Sequence, residues 1–376
     1  MLRIKNFLGR NYQPLNLVEI SRENIKSNYR YLSLINRNIK IAPVLKSNAY
    51  GHGISIVGKD FDNLNAPFIC VDSLYEAYEL LKIKVKTQIL IMGFVSPKSL
   101  NTKKLPFSFA VYNKELVDAI EKFQPHAKVH IFVDTGMHRE GVRLEELPAF
   151  VKYIQSNTHL EIEGLMSHFA MGDDIKNEDT RKQVEAFGTA KQILSDHGIK
   201  PKWIHIANSA GLLNSREYKN KLGNMARVGK SSYGIDPRKV NKDLKPALTL
   251  KTQIAQVKNL KKGEKVGYDF SYTAEKDMKM AIIPIGYFEG VDRRLSNKGY
   301  VLVKNKYCKI IGRVSMNMSI IDVSHVLNAK VGQEVIVYSN NSSAKNSIQN
   351  SAKICNTIPY ELLVHVGSST RRVIKD

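Results

Sequence analysis

Cysteine is scarce in this sequence, and long apolar runs are missing. The 376 residues include three cysteines, Cys70, Cys308 and Cys355, and no CxxC pair. Three cysteines cannot build a disulfide framework, and their spacing indicates no zinc or other metal site, so the chain suits a reducing compartment. No segment approaches the roughly 20 apolar residues that cross a bilayer, and the basic N-terminus lacks the apolar stretch of a secretory signal. We therefore expect a cytoplasmic protein without a membrane partner.

Acidic residues are few relative to basic ones. Lysine and arginine number 57 against 35 aspartates and glutamates, which gives a formal net charge of +22. Such a balance can indicate a nucleic-acid-binding protein. Here, however, the basic residues are scattered, without a dense block or an aromatic-interleaved RNA signature. We interpret them as a solvated, lysine-rich surface and expect no nucleic-acid partner.

Short apolar runs recur at regular spacing through the first two thirds of the chain. They are nearly continuous and rich in Val, Ile and Phe, which is typical of parallel strands covered on both faces. The runs are IAPVLK (41–46), PFICVD (67–72), ILIMGF (89–94), FSFAVYN (107–113), KVHIFVD (128–134), EIEGLMSHF (161–169), KWIHIANS (202–209) and MARVGKSSYG (225–234). Helical patterns lie between them at 21–37, 73–82, 113–123, 145–156 and 178–197. This alternation predicts an α/β domain, a (β/α)8 TIM-like barrel rather than a doubly wound sheet.

The pattern changes near Pro246. From there, strand-like runs follow one another in hairpin spacing, with no crossover helices and one late helix at about 347–356. This arrangement predicts a mainly β second domain. We place the two domains at residues 1–244 and 245–376, with the extreme N-terminus as a candidate to pack on the β domain.

The segment VLKSNAYGHG (44–53) carries the first candidate for chemistry. Lys46 ends an apolar strand, and active sites are built at strand ends in the C-terminal mouth of a barrel. Desolvation there lowers the pKa of a lysine, and a neutral amine can form a Schiff base. Gly51 and Gly53 allow a tight turn behind it, while Tyr50 offers a hydroxyl group. A lone strand-end lysine is more often ordinary, so the neighbouring residues decide the interpretation.

This segment resembles the cofactor-lysine motif of the alanine racemases, which are pyridoxal 5′-phosphate (PLP) enzymes of fold type III. Further segments resemble that family in order, beginning with its first helix at NLVEISRENIKSNYRYL (16–32). The others are VDTGMHREGV (133–142), MSHFA (166–170), HIANSAG (205–211), MARVGKSSYG (225–234), KVGYDFSYTA (265–274), PIGYFEGVDRR (284–294), GRVSMNM (312–318) and NTIPYEL (356–362). The family's architecture, a barrel followed by a β domain, agrees with the periodicity.

The resemblance implies PLP as the cofactor, held covalently by Lys46. The cofactor-binding residues that it implies beyond Lys46 are Tyr50, His168, Asn208, Ser209, Arg227, Gly229, Lys230 and Tyr360. Arg227 matches the arginine that faces the pyridine nitrogen. A guanidinium stays protonated, so it donates a hydrogen bond to that nitrogen without protonating it. The ring is then a weaker electron sink, and proton return competes well with transamination.

Racemisation needs a base on each face of a planar carbanion. The resemblance implies Lys46 for one face and Tyr268 from the other subunit for the second, and hence a homodimer with a shared active site. Arg139 and Met316 match the groups that hold the substrate carboxylate. The narrow entrance that the resemblance implies, which favours a small amino acid, is lined by Tyr287, Arg293 and Ile358.

The sequence departs from the family at the carboxylate site. Many members carry a carbamylated lysine two residues before the aspartate of the DTGM motif, and here that position is Phe132. Since the carbamate hydrogen-bonds the carboxylate-binding arginine, Arg139 must find another anionic or carbonyl partner, and a bound chloride is one candidate. Asn317 stands where many members have aspartate.

These implications predict a PLP-dependent isomerase that interconverts L- and D-alanine by a two-base mechanism and supplies D-alanine for bacterial peptidoglycan. Phe132 leaves open a racemase of broader or serine-type substrate choice. A fold type III decarboxylase is a further alternative, although no decarboxylase cysteine motif is recognisable. The remaining alternatives are a PLP carrier protein, which would consist of the barrel alone, and a basic nucleic-acid binder.

Overall fold

The computed structural model describes residues 13–218, 220–236 and 243–376. The chain divides into two compact units. The first holds residues 22–245, and the second holds residues 246–376 together with the segment that ends at Ser21. Within the described ranges, no helix is long and apolar enough to cross a bilayer.

Short strands alternate with helices in the first unit, and strands dominate the second. The strands are β1 (Leu17–Ser21), β2 (Lys40–Pro43), β3 (Ile69–Val71), β4 (Ile89–Ile91), β5 (Phe107–Val111), β6 (Lys128–Asp134), β7 (Val142–Arg143), β8 (Glu161–Met166), β9 (Trp203–His205), β10 (Met225–Val228), β11 (Leu248–Gln253), β12 (Gln256–Leu260), β13 (Lys265–Val266), β14 (Tyr272–Thr273), β15 (Met278–Ile283), β16 (Tyr300–Val303), β17 (Lys306–Ile311), β18 (Ser319–Asp322), β19 (Glu334–Tyr338) and β20 (Arg371–Lys375). The helices are α1 (Arg22–Ile35), α2 (Ile54–Asp62), α3 (Leu74–Lys82), α4 (Pro97–Leu100), α5 (Lys114–Phe123), α6 (Leu147–Asn157), α7 (Glu178–Asp196), α8 (Ser209–Leu213), α9 (Ile348–Ile354) and α10 (Pro359–Val364).

Parallel strands close a ring at the centre of the first unit. Six of them form one ladder in the order β3-β4-β5-β6-β8-β9, and β10 pairs with β2. Backbone hydrogen bonds join these two groups at both ends. The Leu45 N–H donates to the Cys70 carbonyl (2.8 Å), and the Arg227 N–H donates to the Ala207 carbonyl (2.9 Å). The ring confirms the predicted barrel, with the side chains that follow each strand at its C-terminal mouth.

Local sequence explains where the helices around the barrel begin. The Ser73 and Asn113 side chains cap α3 and α5 by accepting hydrogen bonds from the N–H groups three residues on. Capping side chains of this kind satisfy backbone donors that a helix leaves unpaired at its first turn. The predicted helices therefore match the structure to within about two residues, which is the usual uncertainty of helix ends.

The second unit is built on a sheet of nine strands in the order β12-β15-β18-β17-β16-β19-β11-β1-β20. Strand β1 lies between β11, to which it is antiparallel, and β20, to which it is parallel. Its residues Val18 and Ile20 are fully buried. The prediction that residues 16–32 form one helix is therefore wrong for its first part, because the alternating LVEIS segment is a strand and the helix begins at Arg22. Of the extreme N-terminus, residues 1–12 lie outside the described part of the chain.

Two helices, not one, interrupt the strands near the end of the second unit. Helix α9 matches the predicted helix, while α10 is an addition. The sequence pattern missed α10 because six residues are too few for a helical period to emerge. A left-handed Asn356 separates the two helices, and Pro359 opens the second, a position that favours proline.

Candidate active site

Lys46 follows strand β2 after two buried residues, Val44 and Leu45. The next four residues, from Ser47 to Tyr50, all have left-handed backbone angles, with φ between 52° and 55°. For L-residues other than glycine, this conformation costs about 1–2 kcal/mol each. Gly51 (φ 79°) then ends the turn. The surrounding structure must therefore hold this turn, and with it the direction of the lysine.

Glu76 supplies part of that restraint. Its carboxylate accepts hydrogen bonds from the Ser47 N–H (2.6 Å) and from the Asp72 N–H (2.9 Å). One side chain of α3 thus ties the turn after β2 to the turn after β3. Sequence analysis missed Glu76, because nothing in a helical pattern shows which helix residue reaches back to a neighbouring strand end.

The amine of Lys46 is accessible at the barrel mouth. Its Nζ lies 3.0 Å from Oδ1 of Asp72, and both side chains are substantially exposed. Exposed ion pairs contribute little to stability. The pair therefore leaves the amine available to an incoming ligand.

Arg227, on β10, is buried below the same mouth. Its Nη1 donates to Nδ1 of His205 (2.5 Å) and to the His205 carbonyl (3.0 Å). Its Nη2 donates to the Ser167 carbonyl and to Nδ1 of His168 (3.0 Å). A guanidinium carries five N–H donors, so within the described residues only the Nε–H remains. Burial is the main cause that lowers the pKa of Arg227 to about 10, and the group is still a cation at neutral pH.

His168 is a neutral imidazole held beside this arginine. Burial, followed by the positive charges of Arg227, Arg139 and Lys46, lowers the pKa of His168 to about 3. Because Nδ1 accepts from Arg227, the single proton of the neutral ring is on Nε2. Gln183 of α7 fixes the backbone here by donating to the His168 carbonyl (3.1 Å). The structure therefore brings His168 and Arg227 together as predicted, and it adds Gln183.

Hydroxyl groups lie beside Gly229, which follows β10. A Cβ at this glycine would lie 2.2 Å from the Tyr50 hydroxyl oxygen, so a side chain here would displace Tyr50. The Ser209 hydroxyl lies 3.4 Å from the Ser231 N–H. Asn208 caps α8 by accepting from the Ala210 and Gly211 N–H groups, so the cap that Ser209 could have supplied comes from its neighbour.

Lys230, next along the chain, is largely withdrawn from water. Burial is the main cause that lowers its pKa, while the carboxylates of Asp173 and Asp236 oppose the effect. Its positive charge is carried by the residue next to Gly229.

Arg139 lies in the loop after β6. The Asp134 carboxylate shapes this loop by accepting from the Gly136 and His138 N–H groups (2.9 and 3.0 Å). Arg139 pairs through Nε with the carboxylate of Glu140. Phe132 instead packs with Ala110 and Met166 in a small apolar cluster. The partner that sequence analysis sought for Arg139 is therefore the adjacent glutamate.

The remaining predicted residues belong to the second unit and are brought together there by loop contacts. Tyr268 follows the left-handed Gly267 (φ 78°), and its side chain is 67% exposed. A Cβ on Gly267 would lie 3.1 Å from the Arg313 backbone nitrogen, so this loop touches the one that carries Met316. The Tyr287 N–H donates to the Ser315 carbonyl (3.0 Å), which joins the entrance loop to the same segment.

Arg293 and the final loops complete this series. The Ser296 hydroxyl accepts from the Val314 N–H (3.0 Å), so the turn Arg293–Leu295 lies beside the Met316 segment. Arg294 pairs with Glu361 (2.8 Å), which links that turn to α10. Ile358 precedes α10 and is exposed, and Tyr360 lies in the first turn of that helix.

A hydrogen bond to Glu289 explains why an amide, rather than a carboxylate, suits position 317. It donates through Nδ2 to Oε1 of Glu289 (2.7 Å), whose other oxygen accepts from the Gly286 N–H (2.8 Å). An aspartate at this position would place two carboxylates against each other, which is unfavourable for a buried glutamate. The departure from the family is thus matched by a local contact.

The first-unit residues fit the chemical groups of PLP. An accessible lysine amine suits an aldehyde, and the remaining Nε–H of Arg227 suits a pyridine nitrogen. The hydroxyls of Tyr50 and Ser209, beside the side-chain-free Gly229, suit a phosphate. Charged and neutral donors are therefore present for each end of the cofactor.

Two family models match the chain. The N-terminal domain of alanine racemase matches residues 20–237, and the C-terminal domain matches residues 247–374. The chain belongs to the alanine racemase family. Alanine racemases are PLP-dependent isomerases, so the predicted family, isomerase class and cofactor are confirmed.

Individual alanine racemases are similar over nearly the whole chain. The enzyme of Borreliella burgdorferi is 35% identical over 370 residues, which cover 95% of this chain and 96% of that protein. The crystal structure of alanine racemase from Bacillus anthracis with bound L-Ala-P has a TM-score of 0.88 and 30% identity, over 97% of this chain and 96% of that one. The enzyme of D-cycloserine-producing Streptomyces lavendulae gives a TM-score of 0.89 at 25% identity, over 97% and 98%.

Proposed function

We propose that this protein interconverts L- and D-alanine, with Lys46 and Tyr268 as the two bases, and supplies D-alanine for peptidoglycan. The observation that carries the proposal is the arginine at the barrel mouth. A guanidinium with one uncommitted N–H can donate to the cofactor's ring nitrogen but does not transfer a proton to it. Such a site favours return of a proton to the substrate carbon over transamination.

The cofactor, when bound, withdraws electrons from the substrate and so acidifies its Cα–H bond. Lys46 would hold it covalently. Tyr50, Ser209, the backbone at Gly229 and Lys230, and Tyr360 would bind its phosphate, while Asn208 shapes the loop. Arg227 would donate to its ring nitrogen, and His168 lies beside Arg227.

Proton transfer then requires two groups on opposite faces of the substrate carbon. Nζ of Lys46 would take or return the proton on one face. The Tyr268 oxygen of the partner subunit does so on the other. Free tyrosine has a pKa near 10, so it needs a donor that stabilises its anion. His168 supplies one, because its proton is on Nε2 and Arg227 prevents the alternative tautomer.

A homodimer follows from this assignment, and the surface of the second unit supports it. Tyr268, Phe270, Phe288 and Met318 are each more than half exposed. Exposed apolar groups clustered on neighbouring loops mark an interaction surface. A second copy of the chain covers this surface in the proposal and receives Tyr268 in its own site.

The substrate carboxylate is assigned to Arg139 and the backbone at Met316. The Glu140 carboxylate holds Arg139 in place of the carbamate found in relatives. Tyr287, Arg293 and Ile358 form the entrance gate. We assign the cofactor to the barrel domain, and the second base and the gate to the β domain. The location is cytoplasmic, and no nucleic acid or membrane takes part; cell fractionation tests the location.

Chiral analysis of the products from purified, PLP-loaded protein tests the function. L-Alanine, L-serine, L-lysine and L-arginine are offered separately, and D-alanine is expected to dominate. Comparable turnover of serine would favour the broader racemase that Phe132 leaves open. Absence of every D-product, with a bound chromophore, would overturn the proposal.

A further inference from the structure

Arg227 is a buried cation, and no carboxylate of the described residues pairs with it. None of the ion pairs in the described part of the chain includes it, and its acceptors are two imidazole nitrogens and two backbone carbonyls. A buried charge without a counter-charge is costly, usually by several kcal/mol. The question is therefore what compensates the guanidinium.

A line of buried side chains runs from Arg227 into the barrel. Nη1 of Arg227 lies 2.5 Å from Nδ1 of His205. Nε2 of His205 lies 2.8 Å from Nδ1 of His130. Nε2 of His130 lies 3.6 Å from Oε2 of Glu163, which is an electrostatic contact and too long for a hydrogen bond. Both histidines are fully buried, and Glu163 is 3% exposed.

The protons in this line can be assigned without ambiguity. A guanidinium only donates, so Nδ1 of His205 accepts and its proton is on Nε2. Nδ1 of His130 must then accept as well, which places the His130 proton on Nε2, facing Glu163. Burial is the main cause that lowers the pKa of both histidines, so each ring is neutral with one proton. Every N–H in the line therefore points away from Arg227 and towards the carboxylate.

Glu163 is built to remain ionised. Burial would raise its pKa, but contacts with His130, Ser108 and Lys128 lower it to about 2. The Ser108 hydroxyl donates to it at 2.9 Å, and Lys128 lies 3.2 Å away. Gly164 leaves room for the His130 ring, because a Cβ at this position would lie 2.1 Å from Nδ1 of His130. The residue after Glu163 must be glycine for His130 to occupy its place.

We propose that Glu163 is a positioning residue for the cofactor site, acting on Arg227 through His130 and His205. Two hydrogen bonds join Arg227, His205 and His130, and the last step, from the His130 N–H to the carboxylate, is an ion–dipole interaction; aligned dipoles in a low-dielectric interior polarise one another. The carboxylate thus stabilises the guanidinium charge and fixes which N–H groups are committed, so that the Nε–H alone is left for the ring nitrogen. This inference rests on the proposed role of Arg227.

The first test measures the tautomers in the unaltered holoenzyme. With ¹⁵N-labelled histidine, His130 and His205 should each show a protonated Nε2 and an unprotonated Nδ1. A proton on Nδ1 of either ring, or a doubly protonated ring, overturns the proposal. This measurement needs no variant and therefore does not depend on whether one folds.

The second test follows the cofactor itself, labelled with ¹⁵N at the ring nitrogen. Glu163→Gln keeps the shape of the side chain and removes its charge. Its ring-nitrogen resonance should move towards that of pyridine without a donor, and kcat should fall about tenfold with little change in KM. Ser108→Ala, which removes a hydrogen bond but leaves the charge, should leave the resonance in place.

Arg227→Lys separates failure of this inference from failure of the proposed function. If Arg227→Lys moves the resonance and Glu163→Gln does not, the relay is wrong and the cofactor assignment stands. If neither variant moves it, Arg227 does not face the ring nitrogen, and the proposed site is wrong. His130→Gln added to Glu163→Gln should cause no further shift, since both changes break one line.

Discussion

The two units carry their shares of the site in opposite ways. In the barrel, Arg227 and Ser209 are each 3% exposed and are surrounded by partners from several strands. In the second unit, Tyr268 is 67% exposed and Met316 is 55% exposed, on loops joined mainly by backbone contacts. A buried group held by hydrogen bonds is fixed before a ligand arrives, whereas an exposed one is ordered by whatever covers it. In the proposed site the barrel residues are thus preorganised, and those of the second unit are ordered by the proposed partner subunit.

Replacing Lys46 should abolish the function of the site residues that the barrel contributes. Lys46→Ala deletes both the covalent attachment and one base, so racemase activity should fall by more than about 1,000-fold. The visible absorbance of the bound cofactor should be lost with it, as measured on purified protein. Lys40→Ala, at an exposed lysine that begins strand β2, is the control. An unchanged visible spectrum in Lys46→Ala would refute the cofactor assignment.

Removing the Tyr268 hydroxyl should abolish only the proton transfer proposed for the second unit. Tyr268→Phe should lower racemisation by about 100- to 10,000-fold while PLP stays bound. Because Lys46 still serves one face, exchange of the α-proton with D2O should persist for one enantiomer of alanine and stop for the other. Proton NMR of each enantiomer measures this. Equal exchange from both, or normal activity, would place the second base elsewhere, and Tyr272→Phe is the matched control.

Removing one hydrogen bond of Glu76 tests whether this side chain holds the turn after Lys46 in place for the cofactor. Glu76→Gln keeps one acceptor oxygen and replaces the other with a donor, so either the Ser47 or the Asp72 N–H loses its partner. We expect PLP affinity to fall about tenfold, as measured by titration of the apoprotein. Glu79→Gln lies on the same helix but faces Lys82, and it should bind normally. Equal PLP affinities in the two variants would show that the left-handed turn keeps its conformation without Glu76.

The smallest effect is expected at Arg139, which we propose binds the substrate carboxylate. Glu140→Gln removes the negative charge that pairs with Arg139. The side chains of both Arg139 and Glu140 are partly exposed. Pairs of this kind are weak, so KM for alanine should rise about two- to fivefold with kcat nearly unchanged. Glu145→Gln, which faces Arg143, provides the comparison in steady-state kinetics. A fall in kcat instead of a rise in KM would place Glu140 in the chemistry.

Much of the barrel was predictable because its strands and helices have strong local signals. Buried parallel strands read as continuous apolar runs, and capping residues mark helix starts. The positions of Lys46 and Arg227 followed from motifs that lie at strand ends. The resemblance to a family supplied their roles, which no periodicity contains.

The contacts that steer these residues were not predictable. Glu76 reaches the backbone of Ser47, and Glu163 acts on Arg227 through two histidines, across long separations in sequence. A carboxylate on a helix or strand gives no sign of its partner until the fold places the two together. Strand β1 was misread for a related reason, since its pairing partners lie in the other part of the chain.

That strand has a consequence for the order in which the protein is made. Leu17–Ser21 leaves the ribosome before the barrel, yet its neighbours β11 and β20 follow only at Leu248 and Arg371. The barrel segment can therefore fold while β1 waits without a partner. Since β1 is flanked on both sides, the sheet of the second unit cannot be completed until synthesis has passed β20. We expect ribosome-bound chains stalled before Arg371 to protect the barrel from protease while leaving the region around Val18 open to cleavage.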